Sequence, residues 1–316
     1  MFTMLESYSL SFTPVSSYVT LDFEKIGLQM REILIHPALM LRHLRLEGIR
    51  NFPFYTLLSC YPNLQHLKLI HMHFDKSPTP KGMLPLKTIK LCSFTCGSAD
   101  LTEAVTSQQL LSLQQYDGEP VFDVSRVKHL DITSNTRPEL ATGRAILLHL
   151  ETIILRANVA AYSAIDLTGL GKLLLSSSRH LKEIMIFTDI GLAEGHDPLC
   201  GLCEELEVLG SHENILGALS FTLTTYFSNE CSTGDEWGKL DQVIDKFEWP
   251  MLKDVSIEIS VGQCLSPDSD STSDEGNEVN FRRRLKTLPQ RQLPRLFSKS
   301  RKGLKFRYSI SDEYDF

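Results

Sequence analysis

A short apolar motif that recurs along the chain restricts its fold more than any other sequence feature. Each copy has an apolar residue, two other residues, a second apolar residue, one other residue and a third apolar residue. The last two apolar positions lie two residues apart, which is the spacing of side chains on one face of a β-strand. We therefore predict one strand per copy, with neighbouring copies stacked side by side. The copies begin at Leu41, Leu64, Leu86, Val127, Leu150, Leu181, Leu216 and Leu252, and a degraded copy begins at Leu113.

The segments between copies are predicted to be helical where they are long enough. Early intervals are 23 residues (41 to 64) and 22 residues (64 to 86), whereas later ones are 31 (150 to 181), 35 (181 to 216) and 36 (216 to 252). Proline lies at the start or just beyond the end of several of these segments. Both positions are typical of helices, because proline is tolerated in the first turn and cannot continue a helix past its end. The predicted helices are Phe54–Tyr61, Leu167–Ser177, Pro198–Leu209 and Trp237–Phe247.

These motifs resemble those of a known protein class. The phrases Leu41-Arg-His-Leu-Arg-Leu and Tyr61-Pro-Asn-Leu-Gln-His-Leu-Lys-Leu, with the closing Leu293-Pro-Arg-Leu-Phe and Gly303-Leu-Lys-Phe, are similar to the irregular leucine-rich-repeat proteins of mushroom-forming fungi, many of them F-box-like. The resemblance implies an α/β leucine-rich-repeat solenoid, with a curved parallel sheet on its concave side and helices on its convex side. An F-box, the helical module that docks on the adaptor of a cullin ubiquitin ligase, is not found, because Tyr8–Phe12 already reads as a strand.

The composition changes sharply near the C-terminus and suggests three regions. Residues 1–263 are predicted to form the repeat array, 264–280 an acidic disordered insertion, and 281–316 a basic helix followed by a capping strand over Leu304–Ile310. Ser271, Thr272 and Ser273 precede acidic residues and are candidate phosphorylation sites. The insertion is either an inert surface loop or an intramolecular cover for a basic surface. Within the basic region, Arg282-Arg-Arg-Leu-Lys286 is either a solvated helix face or a nuclear address.

The positions that flank the apolar pair of each strand are predicted to point outward onto the concave surface. In the N-terminal third these positions place Arg45, Lys68 and Lys90 in a ladder beside His43 and His66. The ladder is either a solvent-screened surface in which Glu47 offsets Arg45, or a site for an acidic or phosphorylated protein partner. Further along, Ile154 and Met185 form an apolar strip. The predicted partner-binding residues are His43, Arg45, His66, Lys68, Lys90, Asp131, Ile154 and Met185.

Motifs for catalysis or metal binding are weak in this sequence. Cys200-Gly-Leu-Cys203 resembles a redox pair at a helix start, but no βαβ unit of thioredoxin size frames it. Cys92 and Cys96 complete a four-ligand zinc set with those cysteines only if distant turns meet. We therefore expect no catalytic residues, no metal and no cofactor.

Charge and cysteine usage restrict the partners and the compartment. The chain carries a formal net charge of −7, which gives no nucleic-acid signature. No apolar run is long enough for a membrane helix, so we expect no membrane association. The odd count of seven scattered cysteines and the lack of an Asn-x-Ser/Thr sequon favour a reducing compartment, the cytoplasm or the nucleus.

Together these features favour a non-enzymatic protein–protein interaction scaffold that binds its partner on the concave face. One alternative is the substrate-recognition subunit of a cullin-type ubiquitin ligase whose docking module is missing. The other is an enzyme or a small-ligand-binding domain, which a deep pocket with convergent polar groups would favour.

Overall fold

The chain folds into two compact units, Met1–Ser134 with Thr142–Leu150, and Asn135–Ala141 with Glu151–Phe316. The computed structural model describes residues 7–11, 21–35, 41–52, 63–70, 72, 89–90, 93–97, 122–134, 147–157, 167, 169–190, 199, 201–226, 236–247, 249–262, 275–299 and 304–312.

The first unit contains a parallel sheet whose strands follow one another in chain order. Its strands are β1 (Ser7–Ser11), β3 (His43–Glu47), β5 (His66–Ile70), β7 (Ser93–Gly97) and β9 (His129–Ser134). Two short parallel pairs accompany it, β2 (Leu21–Asp22) with β4 (Ile49–Arg50), and β6 (Ile89–Lys90) with β8 (Phe122–Asp123). A 3-10 helix (Phe23–Lys25) and helix α1 (Leu28–Ile35) connect β2 to β3.

The apolar motif supplies the core of this sheet. Leu44 and Leu46 of β3 and Leu67 and Leu69 of β5 are almost fully buried, and the residues between them are more exposed. The first apolar residue of the motif, Leu41 or Leu64, is also buried, in the turn that leads into the strand. Burial of a leucine side chain contributes about 1.5–3 kcal/mol, so these repeated positions hold the layers together.

The third copy of the motif does not form the strand that we predicted. The strand paired with β5 is β7, in which Phe94 and Cys96 occupy the register positions of Leu67 and Leu69. The predicted segment contributes only β6, which pairs with β8 outside the main sheet. Both segments alternate apolar and polar residues, so local periodicity did not decide which one would continue the sheet. The degraded copy at Leu113 lies outside the described residues.

The second unit alternates parallel strands with helices. The strands are β10 (Thr152–Ala157), β11 (Glu183–Ile190), β12 (Ala218–Tyr226), β13 (Asp254–Gly262) and β14 (Lys305–Asp312), again in chain order. Helices α2 (Leu170–Leu175), α3 (Leu202–Gly210) and α4 (Glu236–Lys246) connect the first four strands. Helices α5 (Glu275–Gln292) and α6 (Pro294–Lys299) precede β14. This arrangement confirms the α/β class and three of the four predicted helices, while Phe54–Tyr61 lies outside the described residues.

The connecting helices form a layer held by leucines and by a repeated turn. Helix α3 lies between α2 and α4. Leu-x-Gly-Leu precedes both α2 and α3, and in each copy the second leucine N–H donates to the first leucine carbonyl, at 3.0 Å and 2.9 Å. The glycines, Gly169 and Gly201, have φ of 91° and 76°, which side chains disfavour. The turn is a second repeat that the sequence analysis missed.

Helix α5 begins earlier than the predicted basic helix. It starts at Glu275, inside the segment expected to be disordered up to residue 280. Leu285 is buried while Arg283, Arg284 and Lys286 are exposed, which agrees with a solvated helix face. The candidate phosphorylation sites Ser271, Thr272 and Ser273 lie outside the described residues. None of the described helices is long and apolar enough to span a membrane.

Candidate functional site

The outward face of the first sheet presents two rows of polar side chains. The pairing of the strands places Ser7, His43, His66, Ser93 and His129 at one register level, and Ser9, Arg45, Lys68, Thr95 and Asp131 two residues further on. Adjacent strands lie about 4.8 Å apart, so each side chain of β3 lies directly beside its neighbour on β5. The centre of this face is a block of four nitrogen-bearing side chains from two strands, which we call the basic block: His43, Arg45, His66 and Lys68.

The two histidines of the basic block stack on each other. Their ring centroids are 4.2 Å apart and their planes differ by 3°. Burial lowers the pKa of His66 below its usual 6.5, and the nearby His43 and His129 lower it further. The neutral form of His66 is therefore favoured near neutral pH, and an anion bound to the block would favour the protonated form instead.

The two cations of the basic block differ in their surroundings. The Arg45 guanidinium donates to Glu47 Oε2 at 2.7 Å, and the Arg45 side chain is 44% exposed. Lys68 is half-buried beside Arg45, and no acidic side chain among the described residues forms an ion pair with it. Two like charges side by side are mildly destabilising, and a bound anion would relieve this repulsion.

The rest of the predicted ladder is arranged differently. Lys90 lies in β6 and is not part of the main sheet, so the predicted three-residue ladder of Arg45, Lys68 and Lys90 is wrong in its third member. Thr95 of β7 follows Lys68 at that level, and Asp131 of β9 comes next. The basic block is therefore limited to β3 and β5, with a hydroxyl residue and then an acidic residue beyond it.

The predicted apolar strip belongs to the second unit. Ile154 lies beside Met185, and the same register level continues through Ser220, Ser256 and Arg307. Ile154 and Met185 are half-buried on the outward face. One level further, the Arg156 guanidinium carbon lies 4.1 Å from the centre of the Phe187 ring, so a cation–π contact adjoins the strip. Sequence reasoning missed this contact, which depends on the pairing of β10 with β11.

Hydroxyl groups replace apolar residues on the later strands of the second unit. Ser220 and Ser256 share a hydrogen bond of 2.7 Å across β12 and β13, and Ser260 and Ser311 share one of 3.1 Å across β13 and β14. The outward face of this unit thus changes along the sheet from apolar to hydroxyl-rich, and then to charged side chains such as Arg307, which donates to Asp254 at 2.8 Å.

The helix layer of the second unit contains a groove with a volume of about 380 Å³. Cys203 lies at its wall and is almost fully buried, between charged side chains of α3 and α4 that include Glu207 and Lys246. The Lys246 ammonium donates to Glu207 at 3.2 Å, so these two charges satisfy each other. The partner cysteine of the predicted redox pair, Cys200, lies outside the described residues, as does Cys92.

The described residues contain no cluster of side chains suited to a metal ion. No group of three or more His, Cys, Asp or Glu side chains there could hold a metal ion.

The parallel stack of His43 on His66 is explained by strand pairing, which places the two rings side by side at one level.

The chain was compared with protein-family models, with curated proteins and with solved structures, and none of them matches it. The resemblance to F-box-like leucine-rich-repeat proteins therefore stays a prediction from the sequence motifs.

Proposed function

We propose that this chain is a leucine-rich-repeat solenoid that acts as a non-enzymatic protein-interaction scaffold, and that an acidic segment of its protein partner binds the basic block. The repeat assignment is supported by parallel strands that follow chain order and by motif leucines that are buried copy after copy. Such arrays use the outward face of their sheet for binding. Ile154, Met185 and Asp131 are secondary candidates for contact with a partner.

One observation carries the binding proposal. Two adjacent strands place two imidazoles, a guanidinium and an ammonium group side by side on an outward face. Among the described residues, Arg45 is the one member of this block that forms an ion pair, with Glu47. Folding alone gains nothing from such a grouping of cations. A carboxylate or phosphate group between Arg45 and Lys68 would form charge-assisted hydrogen bonds with both side chains.

The test uses charge reversal, with a control that reverses one charge outside the basic block. The wild-type chain, the double variant Arg45→Glu/Lys68→Glu, and the control Lys90→Glu would each capture proteins from a cell lysate, with mass spectrometry as the readout. We expect a set of acidic proteins that wild type and Lys90→Glu retain and that the double variant loses. Affinity for the isolated partner should fall by roughly tenfold or more, since hydrogen bonds to charged groups contribute about 1.5–3 kcal/mol each.

Two outcomes would change the proposal. If a folded double variant retains the same proteins as wild type, the basic block is not the binding site. If the captured set contains a cullin adaptor, the chain is better described as a ubiquitin-ligase substrate receptor. Circular dichroism of each variant would show that the fold is unchanged.

A further inference from the structure

The basic block has hydrogen-bond donors that the fold does not use. A guanidinium has five N–H donors, and among the described residues Arg45 uses its guanidinium only towards Glu47. Lys68 and the rings of His43 and His66 form no hydrogen bond with any other described residue. His66 and Lys68 are half-buried, so part of their contact with water is already lost. An acceptor that approaches the block therefore meets donors that gain from a partner.

The unused donors come from both strands and from both register levels. His43 and Arg45 lie on β3, opposite His66 and Lys68 on β5. Adjacent strands are about 4.8 Å apart, and residues two apart along one strand are separated by about 6.6 Å. The lysine side chain is long and flexible, and the arginine side chain carries a fork of donors. All four side chains can therefore reach one small anion that lies over the histidine pair.

The positive charge available to such an anion is greater than one. Glu47 offsets Arg45 in part, whereas Lys68 has no ion pair with any described residue. A carboxylate carries a single negative charge, which Lys68 alone balances. A phosphate monoester carries a charge of about −1.5 to −2 and has three acceptor oxygens. It therefore has charge and acceptors left for Arg45 and for the histidine pair.

The histidine pair can add charge when the ligand is strongly anionic. Burial, His43 and His129 hold the pKa of His66 below its usual value, so the protonated ring is disfavoured in the free protein. An anion beside the ring favours the protonated form, and a dianion does so more than a monoanion. The outward charged or titratable groups of the surrounding strands are His43, Arg45 and Glu47 on β3, Lys68 on β5, and His129 and Asp131 on β9. Strand β7, between β5 and β9, contains no acidic or basic residue.

We propose that the basic block binds a phosphate group on a side chain of the protein partner, a phosphoserine or a phosphothreonine. This inference rests on the proposed function, because it names the group within the partner's acidic segment that the block recognises. The phosphate oxygens accept hydrogen bonds from Lys68 and from the remaining N–H groups of Arg45. The histidine pair takes up a proton and donates to the same phosphate.

Two small probes compare a phosphate with a carboxylate. N-acetyl-O-phosphoserine methylamide and N-acetylglutamate methylamide have the same backbone and differ in their charged group. NMR titration of the His43 and His66 ring signals at pH 7 measures the Kd of each probe. We expect the phosphoserine probe to bind roughly tenfold more tightly, because it makes charge-assisted hydrogen bonds for which the carboxylate has no acceptor left. It should also raise the pKa of His66, and the pKa of His149 should stay unchanged.

The histidine pair separates phosphate recognition from a general attraction of anions. His66→Asn should weaken the phosphoserine probe by roughly fivefold or more and leave the glutamate probe within about twofold, since only the dianion uses the protonated ring. Lys68→Gln should weaken both probes. The control His149→Asn should bind both probes as wild type does. If His66→Asn does not fold, His43→Asn, at the exposed half of the pair, gives the same comparison.

Treatment of the lysate with a protein phosphatase tests the proposal on complete partners. The proteins that wild type captures and Arg45→Glu/Lys68→Glu loses should no longer be captured after dephosphorylation and removal of the released phosphate. Equal capture after this treatment overturns the phosphate proposal, although the basic block would still bind an acidic partner. A folded double variant that captures the same proteins as wild type overturns the proposed function itself. A phosphoserine probe that binds no more tightly than the glutamate probe, or that the histidine variants do not weaken, also overturns the phosphate proposal.

Discussion

At the scale of single residues, the buried carboxylate of Asp241 caps a neighbouring helix. The two oxygens of Asp241, on α4, accept hydrogen bonds from the backbone N–H groups of Arg295 and Leu296 at the start of α6, at 3.1 Å and 2.8 Å. Asp241 is 3% exposed, and its hydrogen bond with the Leu296 N–H is buried, so water cannot readily replace it as the acceptor there. The first N–H groups of a helix have no acceptor within the helix, and the Asp241 carboxylate supplies one for two of them.

We expect Asp241→Ala to destabilise the chain by about 2–3 kcal/mol, because the buried N–H of Leu296 and the part-buried N–H of Arg295 lose their acceptor. The control Asp245→Ala removes an exposed ion pair with Arg295 and should cost about 0–1 kcal/mol. Urea denaturation followed by circular dichroism measures both changes. Equal losses in the two variants would contradict the capping role.

The pH dependence of the same residue has a defined sign. Burial raises the pKa of Asp241 above its usual 3.8, although the N–H groups of Leu296 and Arg295 oppose the shift. A raised pKa in the folded state means that the contribution of Asp241 to stability falls as the pH rises from 3.8 through the raised value. The difference in unfolding free energy between wild type and Asp241→Asn should therefore move in favour of the variant over that interval, as urea titrations at several pH values would show.

The histidine stack makes a second prediction at this scale. The pKa of His66 is lowered by burial first, and then by His43 and His129. Replacing the neighbour, in His43→Asn, should raise the His66 pKa towards 6.5, because one repelling cation is removed. NMR titration of the His66 ring measures it. His149→Asn serves as the control, since His149 is not among the groups that shift His66, and an unchanged pKa in His43→Asn would contradict the electrostatic coupling.

At the scale of elements, the close packing of α2 against α3 depends on a glycine. A Cβ atom at Gly171 would lie 2.7 Å from the Glu205 carbonyl oxygen and 2.9 Å from Glu205 Oε2. The Gly171 N–H also donates to that carboxylate at 2.6 Å, and the Gly169 N–H donates to its other oxygen at 2.7 Å. Helix α3 thus caps the start of α2, and the two helices approach closely only because Gly171 has no side chain.

We expect Gly171→Ala to destabilise the chain by about 1–3 kcal/mol, because backbone atoms must shift to accept the methyl group. The control is Gly238→Ala in α4, where the nearest atom to a new Cβ is 3.9 Å away. That change should be neutral or stabilise by up to about 1 kcal/mol, since alanine favours helix more than glycine does. Thermal unfolding of both variants measures the difference, and a destabilised Gly238→Ala would argue against this explanation.

At the scale of the whole molecule, the sequence predicted the parallel strands well because their signal is local. Leu41, Leu64 and the apolar residues that follow them have strand periodicity and are buried as expected. The sequence could not show which of two neighbouring periodic segments would join β5, because strand pairing is a long-range choice. Lys90 was misplaced for this reason, and Thr95 was missed.

The residues of the basic block could be predicted from the sequence, whereas the contacts between side chains of different elements could not. His43, Arg45, His66 and Lys68 are in the predicted rows because both of their strands were identified correctly. The stacking of the histidines, the cation–π contact of Arg156 with Phe187 and the caps from Glu205 and Asp241 depend on which elements are neighbours. No motif within one segment contains that information.

The two helix caps imply an order of events while the chain is being synthesised. Helix α2 receives its cap from Glu205, which lies 34 and 36 residues later in the chain than the N–H groups that it accepts from, so the start of α2 emerges from the ribosome before Glu205 does. For helix α6 the order is the opposite. Asp241 precedes Arg295 and Leu296 by 54 and 55 residues, so it has already emerged when they do. The start of α2 therefore lacks its capping acceptor until α3 emerges, whereas the start of α6 can bind Asp241 as soon as it emerges.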